Sequence, residues 1–175
     1  MLITFATLLT ACSSLKIPHR DGLVDLKAPR ILGSYPVVTH QENALNRPSN
    51  NVIWNYFLKE PDIDSTEVKQ ATHFTLEMAD PKNVKASLYN GEHLLKTRLV
   101  KGKLKNGYFR LKHRLKWQGI PIIYWGLSSE KIQFGIGSEQ QLYIDQSSTR
   151  NGGILIIISG TPDVIVSSTI LPYKF

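Results

Sequence analysis

Residues 108–117, Tyr-Phe-Arg-Leu-Lys-His-Arg-Leu-Lys-Trp, decide the fold, because apolar and basic side chains alternate along nearly all of them. A period of two is typical of a β-strand, in which successive side chains point to opposite faces of a sheet. The sequence therefore predicts one continuous strand with a covered face and a wet face. We expect four residues of the covered face to be buried together, with His113 on the same face: Phe109, Leu111, Leu115 and Trp117.

The same alternation recurs on both sides of this stretch. Asn90-Gly91 and Asn106-Gly107 separate neighbouring patterns, and such dipeptides are strong signals for a hairpin. A first strand is expected at residues 31–35, and a short helix over residues 51–59, ended by Pro61. About nine further strands are predicted at residues 72–78, 84–89, 95–99, 108–117, 121–127, 131–136, 141–145, 154–159 and 164–171.

This succession of short strands predicts an all-β fold. The chain has 175 residues, which suits one domain with a core of its own. Tight turns pair neighbouring strands, and a long antiparallel meander leaves two open edges unless the sheet closes. We therefore predict a single β domain over residues 31–175, built as a β-barrel, with a β-sandwich as the alternative.

The N-terminus carries a likeness to a sorting signal. Leu9-Thr10-Ala11-Cys12 resembles the lipobox of bacterial lipoproteins, in which a peptidase cuts before the cysteine and its sulfur carries a diacylglyceryl group. The resemblance implies that residues 1–11 are a signal peptide lacking its basic start, that Cys12 is lipidated, and that residues 12–30 form a tether. It also implies a place in the cell envelope, at the outer membrane because Ser13 follows the cysteine.

The order of elements, one strand, a short helix and then a meander, resembles the lipocalin-like barrels. Gly33-Ser34-Tyr35 lies where that family has a Gly-x-Trp motif, with Tyr35 in place of the tryptophan. The resemblance implies a barrel interior that holds a small apolar or amphipathic ligand. The side chains proposed to line such a cavity are Tyr35, His113 and Trp117, because binding pockets combine apolar walls with a few polar groups.

Positive charge is concentrated in one part of the chain. The formal net charge is +7, nine basic residues lie between Lys96 and Lys116, and no acidic residue lies between Glu92 and Glu130. Such a region creates a local positive field that suits an anionic lipid or polysaccharide, whereas nucleic acid does not fit an envelope compartment. The predicted basic face consists of Lys96, Arg98, Arg110, Lys112, Arg114 and Lys116.

No catalytic motif is present in the sequence, and Cys12 is the single cysteine. The five histidines are scattered, so we predict neither a metal site nor a cofactor. Two functions remain open: an anchored binding module for a small ligand, and a structural or assembly protein that docks through its basic face. A hydrolase is the third and weakest reading. A hollow interior would favour the first function, and a core filled by aromatic side chains would favour the second.

Overall fold

The computed structural model describes residue 20 and residues 22–27, 29–42, 48–57, 66–120, 124–154, 157–160 and 164–174. Within them the chain is almost entirely β-structure. The strands are β1 (Arg30–Pro36), β2 (Val38–Glu42), β3 (Pro48–Val52), β4 (His73–Asp80), β5 (Asn83–Asn90), β6 (His93–Lys105), β7 (Tyr108–Leu111), β8 (Arg114–Ile120), β9 (Tyr124–Ile136), β10 (Leu142–Ile154), β11 (Ile157–Gly160) and β12 (Val164–Ile170). A 3₁₀-helix (Ile53–Phe57) and helix α1 (Thr66–Gln70) lie between β3 and β4.

Ten strands form one antiparallel, curled sheet, which confirms the predicted all-β, barrel-like fold. Its order is β1-β4-β5-β6-β7-β9-β10-β11, so neighbours in sequence mostly pair, as a meander requires. In two places, two strands follow one another along the same edge of a longer strand. β8 follows β7 along one edge of β9, and β12 and β11 share one edge of β10. β2 and β3 form a separate hairpin.

Several predicted element ends were wrong. The gaps predicted after residues 127 and 145 are absent, because Ser128-Ser129 lies inside β9 and Gly152-Gly153 inside β10, where strands on both sides supply backbone partners. The helix predicted over residues 51–59 is a 3₁₀-helix of five residues preceded by β3, and α1 was missed. The hairpin at Asn106-Gly107 is confirmed: both residues have positive φ, and they join the paired residues Lys105 and Tyr108.

Large aromatic side chains fill the core on the inner face of the sheet. Phe74 lies 5.8 Å from Tyr35, 6.1 Å from Trp54 and 5.4 Å from Phe57, measured between ring centroids. Phe134 continues the cluster, 5.7 Å from Phe57 and 5.3 Å from Phe109. The 3₁₀-helix contributes Trp54 and Phe57 to this core, so it packs against the inner face of the curled sheet.

A bulge between β7 and β8 reverses the predicted alternation. Arg110 pairs with Gln133 but Arg114 pairs with Glu130, so residues 111–113 face only residues 131–132 of β9. One extra residue turns every later side chain to the other face of the sheet. Phe109 therefore lies in the core, whereas Leu115 and Trp117 are 64% and 54% exposed. The prediction that residues 109–117 bury one common face was wrong beyond Leu111.

The described part of the predicted tether packs against the sheet. Leu26 is buried in the core, the Val24 backbone N–H donates to the Ile136 carbonyl at 2.8 Å, and Leu23 forms a bridge with Gly137. These residues, which lie within the predicted tether of residues 12–30, therefore belong to the folded domain.

The curled sheet brings its two ends together through the residues after β12. The Tyr173 backbone N–H donates to the Ser34 carbonyl of β1 at 2.8 Å. Beside this contact the ring of His73 is stacked between Tyr89 and Tyr173, with centroid distances of 5.2 and 4.7 Å. Burial lowers the pKa of His73 below its usual value, because the charged imidazolium loses water there.

Acidification is expected to weaken this closure. The pKa of His73 is lower in the folded than in the unfolded chain, so the unfolded chain binds the proton first. Stability should be fully present above about pH 6.5 and should fall as the pH drops through the folded-state pKa. Thermal unfolding of wild type and His73→Phe at neutral and mildly acidic pH tests this. An equal loss of Tm in both proteins would contradict it.

Candidate functional site

The interior leaves Tyr35 no room to contact a ligand. The side chain is fully buried, and its hydroxyl lies within hydrogen-bond distance of two carbonyl oxygens, those of Leu32 at 3.1 Å and Gln140 at 3.0 Å. Burial raises the pKa of the phenol, which stays protonated. Tyr35 therefore serves as a core residue that fixes the backbone around β1.

His113 and Trp117 do not join Tyr35. His113 lies in the bulge and is exposed, with Nε2 2.7 Å from the Ser129 hydroxyl. Partial desolvation and the charge of Lys131 lower its pKa. Trp117 lies on the outer face, stacked on Trp125 at 5.8 Å. The three candidates thus lie in three different surroundings and form no common site.

The predicted basic face is divided between both faces of the sheet. Lys96 and Arg98 pair with Leu88 and Ala86, so they lie on the inner face, and Lys96 forms an ion pair with Glu67 at 3.7 Å. The bulge also moves Arg114 and Lys116 to the inner face. Four basic residues expected to face water together with Arg110 and Lys112 are therefore separated from them, and the predicted membership was wrong.

Arg114 forms hydrogen bonds on the inner face of the sheet. Its guanidinium donates to Glu130 at 3.0 Å and to the Tyr56 carbonyl of the 3₁₀-helix at 3.1 Å. Gln146 donates to the second oxygen of Glu130 at 2.6 Å. This network ties β8, β9 and β10 to the helix that plugs the core, which is a structural task.

A different basic cluster occupies the outer face at the β6–β7 hairpin. Lys101, Lys103 and Lys105 alternate along β6 and are exposed, and Lys112 donates its backbone N–H to the Lys101 carbonyl at 3.1 Å. Arg110 pairs with Lys103 on the neighbouring strand. In the part of the chain that the structure describes, none of these four lysines forms an ion pair. We call Lys101, Lys103, Lys105 and Lys112 the lysine patch.

A buried polar cluster joins the N-terminal segment to the same outer face. Asp145 is fully buried and accepts hydrogen bonds from Arg20 at 2.9 Å, Ser167 at 2.7 Å and Gln133 at 3.2 Å. The Arg20 guanidinium also lies 4.3 Å from the centre of the Tyr143 ring. Sequence reasoning missed this cluster, because Arg20 was assigned to the tether and 125 residues separate it from Asp145.

Beyond the core the sheet continues as an arm. It consists of β8, residues 124–130 of β9, residues 148–154 of β10, and β11. The core ends at Ile132, and the described side chains of β9 before it are only half-buried or exposed. Exposed apolar residues lie along the arm and at the start of β12: Leu115, Trp117, Ile120, Tyr124, Val164, Ile165 and Val166.

No group of three or more His, Cys, Asp or Glu among the described residues could hold a metal ion. No helix in the same residues is long and apolar enough to cross a membrane.

Comparison with known proteins finds no match for this chain, whether among family models, curated proteins or solved structures. The fold and the site geometry define an all-β, barrel-like protein with large aromatic side chains in its described core and with separate basic and apolar exposed surfaces.

Proposed function

We propose that this chain is a lipid-anchored protein of the bacterial cell envelope that docks on an anionic envelope component. Cys12 would carry the anchor at the outer membrane, and the lysine patch would make the contact. Cys12 lies outside the described residues, so the anchor rests on its likeness to the lipobox. Two acyl chains on one cysteine would make the attachment durable.

The filled interior is the observation that favours docking over transport of a small ligand. Five aromatic rings, those of Tyr35, Trp54, Phe74, Phe109 and Phe134, are fully buried within the described core. A carrier needs an apolar cavity, whereas these rings occupy the space that a ligand would take. The binding-module reading is therefore the weaker of the two.

The lysine patch supplies the charge for docking. Three of its lysines project from one face of β6 at intervals of about 6.6 Å, and Arg110 lies across from Lys103. Because surface charges act over about 8 Å at physiological salt, the partner must be in near contact.

Replacing Cys12 by Ser tests the anchor. The variant should be released from the membrane fraction of its native host or remain unprocessed, since no thiol is left to acylate. Intact-mass measurement should find wild type cut before Cys12 and increased by the mass of its acyl chains. A free thiol on Cys12 with Met1 retained would contradict the proposal.

The docking surface is tested with the triple variant Lys101→Gln, Lys103→Gln and Lys105→Gln. It should lose binding to immobilised alginate at low salt, and wild-type binding should fade as salt rises. The matched control is Lys27→Gln, Lys82→Gln and Lys174→Gln, which removes the same charge from exposed sites elsewhere. Equal loss in both variants would reduce the effect to net charge and contradict a specific patch.

A further inference from the structure

The tip of the arm exposes apolar side chains on β8 and β9. Cross-strand pairing places Ile120 opposite Tyr124. Ile120 and Tyr124 are 54% and 53% exposed, although each has a strand neighbour. Exposed apolar residues that are concentrated in this way mark an interaction surface.

Both faces of the tip carry apolar side chains. Ile120 and Tyr124 lie on the inner face, while Trp125 and Trp117 form their stacked pair on the outer face. A rigid protein partner packs against one face of a single-layered sheet such as this, whereas fluid lipid surrounds both faces. Tryptophan and tyrosine also favour the boundary between lipid and water, since each ring combines an apolar body with a polar group.

Two basic residues lie at the same distance behind the apolar tip. Lys116 precedes Ile120 by four residues, about 13 Å along the strand, and pairs with Ser128 of β9. Arg150 of β10 pairs with the same serine from the other side. An apolar end followed by aromatic residues and then by basic residues matches the order of acyl chains, interface and anionic headgroups in a lipid leaflet.

We propose that the arm inserts its tip into the surface of an anionic lipid membrane, with Lys116 and Arg150 at the level of the headgroups. Insertion is shallow. Within the described residues the outer edge of β8 has no strand partner, and unpaired backbone groups are costly in hydrocarbon. The first three residues from the tip, about 10 Å, fit the depth that interfacial segments reach.

The position of the N-terminal segment agrees with this orientation. Arg20 bonds Asp145, which pairs with Gln133 of β9, five residues or about 17 Å from Ser128. Cys12 precedes Arg20 by eight residues, a length of at most about 28 Å, so a lipid on Cys12 can reach the same membrane surface. This agreement rests on the proposed anchor; the preceding observations do not.

The lysine patch lies behind Lys116 and Arg150, farther from the tip. The members of the patch nearest the tip are Lys101 and Lys112, and Lys112 lies eight residues from Ile120 and four from Lys116, about 26 Å and about 13 Å along the strand. The distance from Lys112 to Lys116 exceeds the range of about 8 Å over which surface charges act in physiological salt. The two surfaces therefore have different partners, lipid at the tip and an anionic polymer at the patch.

The test uses the full chain carrying Cys12→Ser, so that no acyl anchor contributes. Vesicles of phosphatidylcholine with phosphatidylglycerol should bind it, and lipids brominated on the acyl chains should quench its tryptophan emission. Trp117 and Trp125 should be the quenched residues, because Trp54 is fully buried. Replacing Trp117 and Trp125 by Phe should remove the quenching. Wild type that neither binds nor is quenched would overturn the proposal.

Single substitutions separate the tip from other exposed apolar positions. Ile120→Asp and Tyr124→Asp should each weaken vesicle binding about tenfold or more, because each places a charge where an apolar side chain is buried in lipid. Leu99→Asp is the control, since Leu99 is 57% exposed on β6 outside the arm. Loss of binding in Leu99→Asp equal to that in the tip variants would contradict the proposal.

Two further outcomes would contradict insertion of the tip into lipid. A wild-type dimer in sedimentation that Ile120→Asp dissociates would make the tip an interface between two copies of this chain. Vesicle binding that requires the lysine patch but not Ile120 would place lipid on the patch and leave the proposed docking function intact. Loss of alginate binding in the patch variant with unchanged vesicle binding is the expected pattern.

Discussion

Phe134→Ala should lower the free energy of unfolding by about 3–5 kcal/mol. Phe134 is fully buried and is in ring contact with Phe57 and Phe109, so it links the 3₁₀-helix to β7 and β9. Its removal leaves a cavity between three elements, and neighbouring rings cannot refill it without leaving their own contacts. Such a loss is a large part of the stability of a typical domain. Urea unfolding followed by circular dichroism measures it.

Leu115→Ala is the matched control for this prediction. Leu115 belongs to the strand pattern that most strongly suggests a core, yet the bulge places it on the outer face with 64% exposure. Its truncation should change the free energy of unfolding by no more than about 0.5 kcal/mol. A loss of 2 kcal/mol or more would mean that the strand has the uninterrupted register that the sequence suggests.

Arg20→Met should destabilise the chain by about 3–5 kcal/mol, because it leaves the fully buried carboxylate of Asp145 without its cation. Ser167 and Gln133 still donate to Asp145, but neither is charged. The N-terminal segment should also detach from the sheet and become open to proteolysis. Urea unfolding and limited trypsin digestion measure the two effects.

The double variant Arg20→Met with Asp145→Leu should be more stable than Arg20→Met alone. Breaking a buried ion pair strands one charge, whereas replacing both partners with apolar side chains removes the need to desolvate either. Part of the loss remains, since Ser167 and Gln133 lose their acceptor. A double variant as unstable as the sum of both single variants would show that the pair is not coupled.

Local signals in the sequence were sufficient for the strands and the meander. Alternation gave the strand positions, and Asn106-Gly107 gave a hairpin because few other residues tolerate positive φ at both positions. The break predicted at Ser128-Ser129 was wrong. Their intrinsic preference is for turns, but pairing with β8 and β10 holds them in a strand, so tertiary contacts outweigh propensity.

The residues of the candidate site depend on contacts that no local pattern records. β6 changes partner from β5 to β7 at Gly102, where any side chain would meet the Arg110 carbonyl and the Phe109 ring. After Leu111 the chain no longer pairs with β6. The bulge at residues 111–113 then shifts the register of β8 against β9 by one residue. The face on which Lys116 or Trp117 lies is therefore set by the path of a different strand.

The tandem arrangement of strands along β9 and β10 has a consequence for hydrogen exchange. β7 has strands on both sides, whereas the structure describes a single neighbour for β8 and for β11. The arm can therefore separate while the aromatic core stays intact, so its amides exchange through a local opening of low free energy. Amides of β4, β5 and β7 should exchange only when the whole chain unfolds. Amide exchange in one molecule would then be slow in the core strands and fast in the arm.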